Sequence, residues 1–317
     1  MNDQPLSKEV LHQASQCYGI KYEELTYLGG FENFVYAYQK DNQEYVLRIG
    51  LDSHMPFDLV QAEIDWLLYL AEGKVPVVKP MPSENSLFVE KLTLENSNFN
   101  IVSFERVEGQ HLDFQNPQSW DKEIIKQWGQ IVGRMHALSK NYTPRSTKRY
   151  HFKPLEDKER LKYKDKEIVE RMTQIFQDLE KFPKTKDSYG LIHSDLHPGN
   201  FFINNNKITG LFDFDRCCYK WFIADIAIAL YYPLYLSPLR QNPKAQKEFI
   251  SYFLPLFWEG YERENQLEAF WKGTLNTFIK VRDAILYMYF PTDRDQKPLE
   301  VFKSRIMGKE PYIDIEY

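Results

Sequence analysis

The first third of the chain has mainly the hydrophobic pattern of β-strands. Between Leu25 and Gly50, aromatic and β-branched residues alternate with polar ones, and breaks occur at Gly29-Gly30 and Lys40-Asp41-Asn42. This pattern predicts two or three antiparallel strands joined by tight turns. Two further strands are predicted around residues 86–92 and 100–107.

Helical spacing occurs at two places in this strand-rich part. Residues 7–18 predict a helix with Ser7 as its N-cap and Gly19 as its C-cap. A second helix is predicted from Asp58, as N-cap, to Gly73. Its apolar residues recur on one helix face, at Val60, Ile64, Leu67, Leu68 and Ala71.

After Gly109 the pattern becomes predominantly helical. Helices are predicted over residues 119–138, 155–181, 244–260 and 264–289. The chain is therefore predicted to be an α+β protein. It would have a small β-rich N-terminal lobe, residues 1–107, and a larger, mainly helical C-terminal lobe, residues 108–317.

One β-rich island, GLIHSDLHPGNFFINNNKITGLFDFDR, interrupts the helices. It predicts a loop from His193 to Asn200, followed by a hairpin that turns at residues 204–207. Because a hairpin brings its two ends together, we expect Asn200 and Asp213 to be neighbours. Asp195 lies on the loop that leads into the hairpin.

Carboxylate and amide oxygens at such a position are the ligands that Mg²⁺ prefers. A carboxylate that does not bind the metal can orient or deprotonate a hydroxyl group. Two other interpretations compete. Asp and Asn are common in loops and caps for structural reasons alone. His193 and His197 are spaced like zinc ligands, but Pro198 disfavours a helix that presents both, and no third soft ligand lies nearby.

The segment His193–Asn200, HSDLHPGN, is similar to the catalytic loop H-x-D-x-x-x-x-N of protein kinases. Its His-Pro-Gly-Asn ending looks closer to the aminoglycoside phosphotransferase and choline kinase families. Residues 211–215, LFDFD, resemble the metal-binding segment of these families, and Asp225 matches the Asp that they place at a helix start.

This resemblance implies a protein-kinase-like two-lobed fold that uses ATP and Mg²⁺. It implies that Asp195 is the catalytic base, that Asn200 and Asp213 hold Mg²⁺, and that His193 and Asp225 brace the loop.

The resemblance also gives roles to residues of the N-terminal lobe. Leu28–Asn33 looks like a phosphate-covering loop, with Gly29, Gly30 and Asn33 near the nucleotide, although it lacks G-x-G-x-x-G and a simple hairpin turn is the alternative. Arg48 stands where these families have a Lys that pairs with ATP. Glu63 is the expected ion-pair partner of Arg48.

Residues 103–109 resemble the linker between the lobes of these kinases. There the backbone groups of Glu105 and Val107 are expected to hydrogen-bond adenine.

The amino-acid composition limits the kinds of binding partner expected for the protein. The 317 residues carry a formal net charge of −5, without the basic footprint of a nucleic-acid-binding protein. No apolar run is long enough to span a membrane, and no signal peptide is evident at the N-terminus. Cys17, Cys217 and Cys218 do not suggest a disulfide framework. We therefore expect a cytoplasmic protein without nucleic-acid or membrane partners.

The predicted function is transfer of the γ-phosphate of ATP to a hydroxyl-bearing small molecule, such as an amino alcohol, an amino sugar or an aminoglycoside. A protein kinase is disfavoured, because only about eight residues lead from Phe214 to Phe222, too few for a peptide-docking activation loop. The alternative is a catalytically silent, kinase-like structural or nucleotide-binding protein, such as a spore-coat-type relative. The intact Asp195, Asn200 and Asp213 argue against it, and Arg48 favours it.

The acceptor site is expected in the C-terminal lobe. On the late helix, Asp283 and Tyr287 are four residues apart and can share one face, which suits an ammonium group. The alternative is that Arg282 and Asp283 are surface charges. The tail carries further polar and aromatic residues, Glu310, Tyr312, Asp314, Glu316 and Tyr317.

Overall fold

The computed structural model describes residues 6–30, 32–94, 96–145, 147–157, 165–290 and 296–315. The chain forms two compact units. The first unit consists of Met1–Gln110, Tyr142–Arg149 and Phe202–Asp215, and the second of His111–Asn141, Tyr150–Phe201 and Arg216–Tyr317. The predicted lobe boundary between residues 107 and 108 stays a prediction.

An antiparallel sheet forms the centre of the first unit. Its strands in the described residues are β1 Thr26–Gly29, β2 Phe34–Lys40, β3 Gln43–Leu51, β4 Pro80–Met81, β5 Glu90–Leu94 and β6 Ser97–Glu105. They lie in the order β1-β2-β3-β6-β4, and β5 also pairs with β6. The predicted β2–β3 turn is confirmed: Asp41 and Asn42 have φ angles of 51° and 61°, as a tight hairpin requires.

Two helices accompany this sheet, α1 Lys8–Gln16 and α2 Phe57–Glu72. Ser7 caps α1 as predicted, since its hydroxyl accepts the Val10 N–H at 3.3 Å. The prediction that Asp58 caps α2 is wrong. Pro56 occupies the N-cap position, and Asp52 accepts the Phe57 N–H at 2.8 Å instead. Gly73 ends α2 as predicted.

The β-rich island forms two short pairs of strands. Strand β7, Tyr189–Ile192, pairs antiparallel with β10, Cys218–Trp221. Between them along the chain lies the predicted hairpin, β8 Phe201–Asn204 and β9 Lys207–Leu211. Asn205 and Asn206 form its turn with φ angles of 49° and 57°.

The second unit is mainly helical. Its helices in the described residues are α3 Lys122–Ser139, α4 Lys166–Glu180, α5 Ile223–Tyr235, α6 Pro243–Tyr261, α7 Ala269–Lys272, α8 Leu275–Tyr289 and α9 Lys297–Ile306. The single helix predicted over 264–289 is instead α7 and α8, interrupted at Gly273-Thr274. Part of the helix predicted over 155–181 falls on residues 158–164, outside the described residues.

Helices α3 and α6 approach each other closely. A Cβ atom at Gly129 would lie 2.0 Å from the carbonyl oxygen of Phe257, and one at Gly260 would lie 1.9 Å from that of Lys126. Both distances are far below van der Waals contact, so each position accepts only glycine without a backbone shift. This close contact fixes the position of α3 against α6, and α3 carries His136, a residue of the candidate site described below. No helix in the part of the chain described is both long and apolar enough to cross a membrane.

Candidate active site

The loop from His193 to Asn200 is held by a carboxylate in the first turn of α5. Asp225 is fully buried and accepts the backbone N–H of His193 at 3.1 Å and that of Ser194 at 2.8 Å. Ser194 has a φ of 66°, which is strained for a residue with a side chain. The two hydrogen bonds stabilise this conformation and bring Asp225 against the backbone of His193, while the bracing role of both residues stays a prediction.

A buried histidine completes this support. His136 on α3 lies with its Nε2 3.3 Å from Asp225 and its Nδ1 2.9 Å from the hydroxyl of Tyr261. Burial lowers the pKa of His136, although Asp225 opposes the shift. The imidazole is therefore neutral at pH 7 and acts as a hydrogen-bonding brace. Nothing in the sequence around position 136 marks it, because its partners lie 89 and 125 residues away.

Asp195 is bound on one side and open on the other. Its Oδ1 accepts a hydrogen bond from Nη2 of Arg282, and the hydroxyl of Tyr232 lies 3.5 Å from the same oxygen. Burial alone would raise the pKa of this carboxyl, but Arg282, together with His197 and His193, outweighs burial, and the pKa lies below its usual value. The carboxylate is therefore ionised at neutral pH. Among the described residues, no side chain or backbone group hydrogen-bonds its Oδ2.

Tyr232 and His197 form the wall beside this carboxylate. Their rings stack with centroids 4.2 Å apart. Burial lowers the pKa of His197 to about 4, and its Nδ1 accepts the Gly199 N–H at 3.0 Å. The histidine is thus neutral, with its proton on Nε2. Within the described residues, no group of three or more His, Cys, Asp or Glu side chains is arranged to hold a metal ion.

The two predicted magnesium ligands occupy different surroundings. Asn200, in the second unit, is 5% exposed, and its amide nitrogen donates to the Asp195 carbonyl at 2.9 Å. This assignment leaves the amide oxygen of Asn200 as the remaining acceptor. Asp213, in the first unit, is exposed and has a φ of 64°. Aspartate is among the few residues that tolerate this left-handed conformation.

Arg48 and Glu63 form the predicted ion pair in the first unit. Nη1 and Nη2 of Arg48 on β3 lie 2.7 Å and 2.9 Å from the two carboxylate oxygens of Glu63 on α2. Burial would lower the pKa of Arg48, but Glu63, with Asp215 and Asp213 nearby, raises it above its usual value. The guanidinium is permanently charged and fixed in orientation.

This pair borders a cleft of about 270 Å³, a volume that includes space open to solvent. The cleft is lined by Asn33, Arg48, Gly50, Met55, Val60, Glu63, Asn100 and Asp215. Asn33 packs so closely on β3 that a Cβ atom at Gly50 would lie 2.4 Å from its amide oxygen. Gly29 and Gly30 have φ angles of 113° and 143°, available to glycine alone. Phe31, in the same predicted loop, lies outside the described residues.

The predicted adenine-binding residues are Glu105, the last residue of β6, and Val107, two residues beyond it. The N–H of Glu105 donates to the Lys79 carbonyl at 2.9 Å. The side chain of Val107 packs on the hairpin, where a Cβ atom at Gly210 would touch it at 3.0 Å. The Val107 N–H has no hydrogen-bond acceptor among the described residues.

The acceptor site predicted on the late helix is wrong. Asp283 on α8 is 0% exposed and accepts two hydrogen bonds from Arg305, at 2.6 Å and 2.8 Å, and one from the hydroxyl of Tyr231. Its charge is already neutralised, so it has none to offer a ligand. Tyr287 is buried as well. The alternative of a surface charge is equally wrong for Arg282, which is buried against Asp195.

Part of the tail is also structural. The Ile313 N–H donates to the hydroxyl of Tyr235 at 3.0 Å, and Asn276 donates to Asp314 at 3.0 Å. Glu316 and Tyr317 lie outside the described residues.

The chain is similar to proteins of known activity. Residues 24–263 match the model of the phosphotransferase enzyme family. Amicoumacin kinase of Bacillus subtilis (strain 168) is 34% identical over 290 residues, which are 88% of this chain and 83% of that protein.

Two solved structures extend the comparison. Amicoumacin kinase hAmiN, in complex with AMP-PNP, Ca²⁺ and Ami, is 29% identical with a TM-score of 0.84, over 96% of this chain and 94% of that one. A spectinomycin phosphotransferase is 16% identical with a TM-score of 0.60, over 95% and 94% of the two chains, and shares the fold.

Proposed function

The chain belongs to the phosphotransferase enzyme family and is a small-molecule kinase, and on this premise we propose that it transfers the γ-phosphate of ATP, with Mg²⁺, to a hydroxyl group of its substrate. The predicted α+β, protein-kinase-like fold and the predicted family are confirmed by the same similarities. The nucleotide, the metal, the acceptor and the residue roles below are our proposal.

The observation that carries the proposal is the asymmetric environment of Asp195. Arg282 and Tyr232 engage Oδ1 and keep the carboxylate ionised, which leaves Oδ2 for an acceptor hydroxyl. A carboxylate of low pKa is a weak base, so it first orients the hydroxyl. It takes the proton late, as the hydroxyl oxygen bonds to the γ-phosphorus and the bond to the bridging oxygen breaks to release ADP.

The first unit would hold the nucleotide. We propose that Arg48 binds its phosphates, with Glu63 fixing the plane of the guanidinium. Gly29, Gly30 and Asn33 would cover the phosphates, because glycine lets backbone N–H groups come close to them. Glu105 and Val107 would bind adenine, and a Val107 N–H without an acceptor in the described part of the chain fits that role.

Asn200 and Asp213 fit a magnesium ion by the chemistry of their donors. Each offers an oxygen, an amide oxygen and a carboxylate, and Mg²⁺ often takes only one or two protein ligands alongside phosphate and water oxygens. When bound, the ion would neutralise charge on the transferring phosphate.

The relatives suggest the first acceptor to test. The relative with 34% identity is named amicoumacin kinase, so we propose amicoumacin or a related hydroxyl-bearing compound as the acceptor. The argument for a cationic acceptor based on Asp283 no longer holds, because that carboxylate pairs with Arg305. The cytoplasmic location and the absence of nucleic-acid and membrane partners stay predictions.

The direct experiment measures ADP formation with Mg·ATP and a panel of acceptors that includes amicoumacin, amino alcohols and aminoglycosides. We expect ADP release that depends on the presence of one acceptor, together with a product that has the mass of that acceptor plus one phosphoryl group. Nucleotide binding without turnover on any acceptor would instead support a catalytically silent relative. Absence of both binding and turnover would contradict the proposal.

Replacement of Asp213 by Ala is expected to raise the Mg²⁺ concentration needed for half-maximal ATP binding by about tenfold or more. Loss of residues that only support a metal ligand already costs about 10–100-fold. Asn200→Ala should have a smaller effect, because an amide oxygen carries no net charge. Titration of Mg²⁺ at fixed ATP measures both.

The control for this titration is Asp187→Ala, which removes a carboxylate whose side chain is 80% exposed. Wild-type magnesium dependence in Asp213→Ala would show that the metal ligands lie elsewhere.

A further inference from the structure

A short segment of the first unit lies along helix α2. We call residues 142–149 the α2 strap; Ser146 is outside its described part. The hydroxyl of Tyr142 donates to Oδ2 of Asp65 at 2.6 Å. The centroid of the Tyr142 ring lies 4.7 Å from the ring centroid of Trp66 and 5.1 Å from that of Tyr69. The strap therefore begins by packing on the C-terminal half of α2.

Arg145 continues this contact. Its backbone N–H donates to Asp65 at 3.0 Å, and its side chain pairs with Asp65 at 3.5 Å and with Glu72 at 3.2 Å. Both ion pairs are partly exposed and contribute little by themselves. The hydrogen bonds to the buried Asp65 fix the position of the strap more firmly.

Arg149 ends the strap at the N-terminal part of α2. It is 2% exposed, and its Nη1 donates to the Leu59 carbonyl at 2.9 Å. Its Nη2 donates to the carbonyl of Asp215, two residues beyond Asp213. One guanidinium thus joins the helix that carries Glu63 to the segment that carries Asp213.

The burial of α2 shows what the strap does. Six consecutive residues of α2, from Ala62 to Leu67, are buried. A helix on a protein surface normally exposes one side to solvent. Consecutive burial means that α2 is covered on all sides at this point, and Tyr142 and Arg145 supply contacts on the side of Asp65 and Trp66.

We propose that Arg149 is a positioning residue for the nucleotide site. By holding α2 and the Asp215 backbone together, it keeps Glu63 against Arg48 and fixes the approach of the Asp213 segment. In kinase-like enzymes, this type of ion pair must be formed for activity, and the position of its helix controls it. The inference rests on the proposed nucleotide function. It adds a structural cause for the Arg48–Glu63 geometry.

The test compares Arg149→Met with Lys148→Met, a substitution of its exposed neighbour in the same strap. We expect Arg149→Met to raise the KM for ATP about tenfold, the change that a loss of about 1.4 kcal/mol of binding produces. The acceptor KM should change by less than about twofold, because the acceptor contacts Asp195. Arg149→Lys should recover part of the loss, since an ammonium group can donate to one of the two carbonyls.

A purely structural role would give a different result. It would lower stability and the apparent kcat, because less enzyme would be folded, without a selective rise in the KM for ATP. In a Glu63→Gln background, Arg149→Met should add little to the KM for ATP if it acts through the Arg48–Glu63 pair. Additive effects, or an unchanged KM for ATP in Arg149→Met, would overturn the proposal.

Hydrogen exchange separates this inference from the function on which it rests. Without nucleotide, the backbone amides of residues 57–72 should exchange faster in Arg149→Met than in Lys148→Met. Tyr142→Phe, which removes one hydroxyl, should show a weaker increase and serves if Arg149→Met folds poorly. If residues 57–72 exchanged at the wild-type rate in both Arg149→Met and Tyr142→Phe, the inference that the strap holds α2 would be refuted, whatever the enzyme phosphorylates. If exchange in α2 depended on the strap but the wild-type protein were inactive, only the proposed function would be refuted.

Discussion

Replacement of Asp195 by Asn is expected to lower kcat by about 10²–10⁴-fold, the usual effect of removing a positioned base. The dissociation constant for ATP should change little, because the proposed nucleotide contacts come from other residues. An amide has nearly the shape of the carboxylate, so the variant removes charge and proton affinity without leaving a cavity. Steady-state kinetics and nucleotide titration measure the two effects separately.

The control for Asp195→Asn concerns Arg282, whose buried guanidinium would lose its carboxylate partner. A thermal denaturation curve near that of the wild-type protein would show that the loss of rate is not a loss of folding. Turnover at the wild-type rate on an identified acceptor would mean that Asp195 is not the base.

Replacement of Arg305 by Met is expected to lower the free energy of unfolding by about 3–5 kcal/mol, the cost of breaking a buried ion pair by removing one partner. Arg305 and Asp283 are both fully buried, and the hydroxyl of Tyr231 donates to the same carboxylate. Without Arg305 the charge of Asp283 stays buried and has lost its cation, although the hydroxyl of Tyr231 still donates to it. Urea denaturation at pH 7 measures the loss.

Two further variants show whether the ion pair causes this effect. Lys309→Met replaces an exposed cation in the same region and should change the free energy of unfolding by less than about 0.5 kcal/mol. The double variant Arg305→Met with Asp283→Leu should recover part of the stability, because a buried ion pair can be replaced by apolar side chains. An Arg305→Met protein as stable as Lys309→Met would contradict the prediction.

Elements with strong local signals could be predicted from the sequence. Asp41-Asn42 and Asn205-Asn206 mark hairpin turns, because these residue types tolerate a positive φ that others avoid. Gly73 also lies at the predicted end of α2, although its φ is −76° and the positive φ falls on Lys74 instead. The N-terminus of α2 could not be predicted so well. The carboxylate that accepts its first N–H belongs to Asp52, five residues before the helix begins. No sequence pattern predicts how the chain between Asp52 and Phe57 folds back to make this contact.

The environment of the candidate site was harder to predict than its residues. The spacing from His193 to Asp213 pointed to the catalytic loop, and those roles stay predictions. Arg282 lies 87 residues from Asp195, so no local pattern connects them. Asp283 and Tyr287 were correctly placed on one helix, but spacing does not tell which face is buried. The buried Arg305 decided that question, and it lies 22 residues later.

The left-handed backbone of Asp213 matters for anyone who would engineer this protein for heat resistance. At a φ of 64°, glycine avoids the steric cost that aspartate pays, and a gain of up to about 1 kcal/mol is available from the exchange. A redesign guided by thermostability alone would therefore choose glycine here and delete the proposed magnesium ligand. Libraries of stabilised variants should keep position 213 fixed, since stability and the proposed metal-binding role favour different residues there.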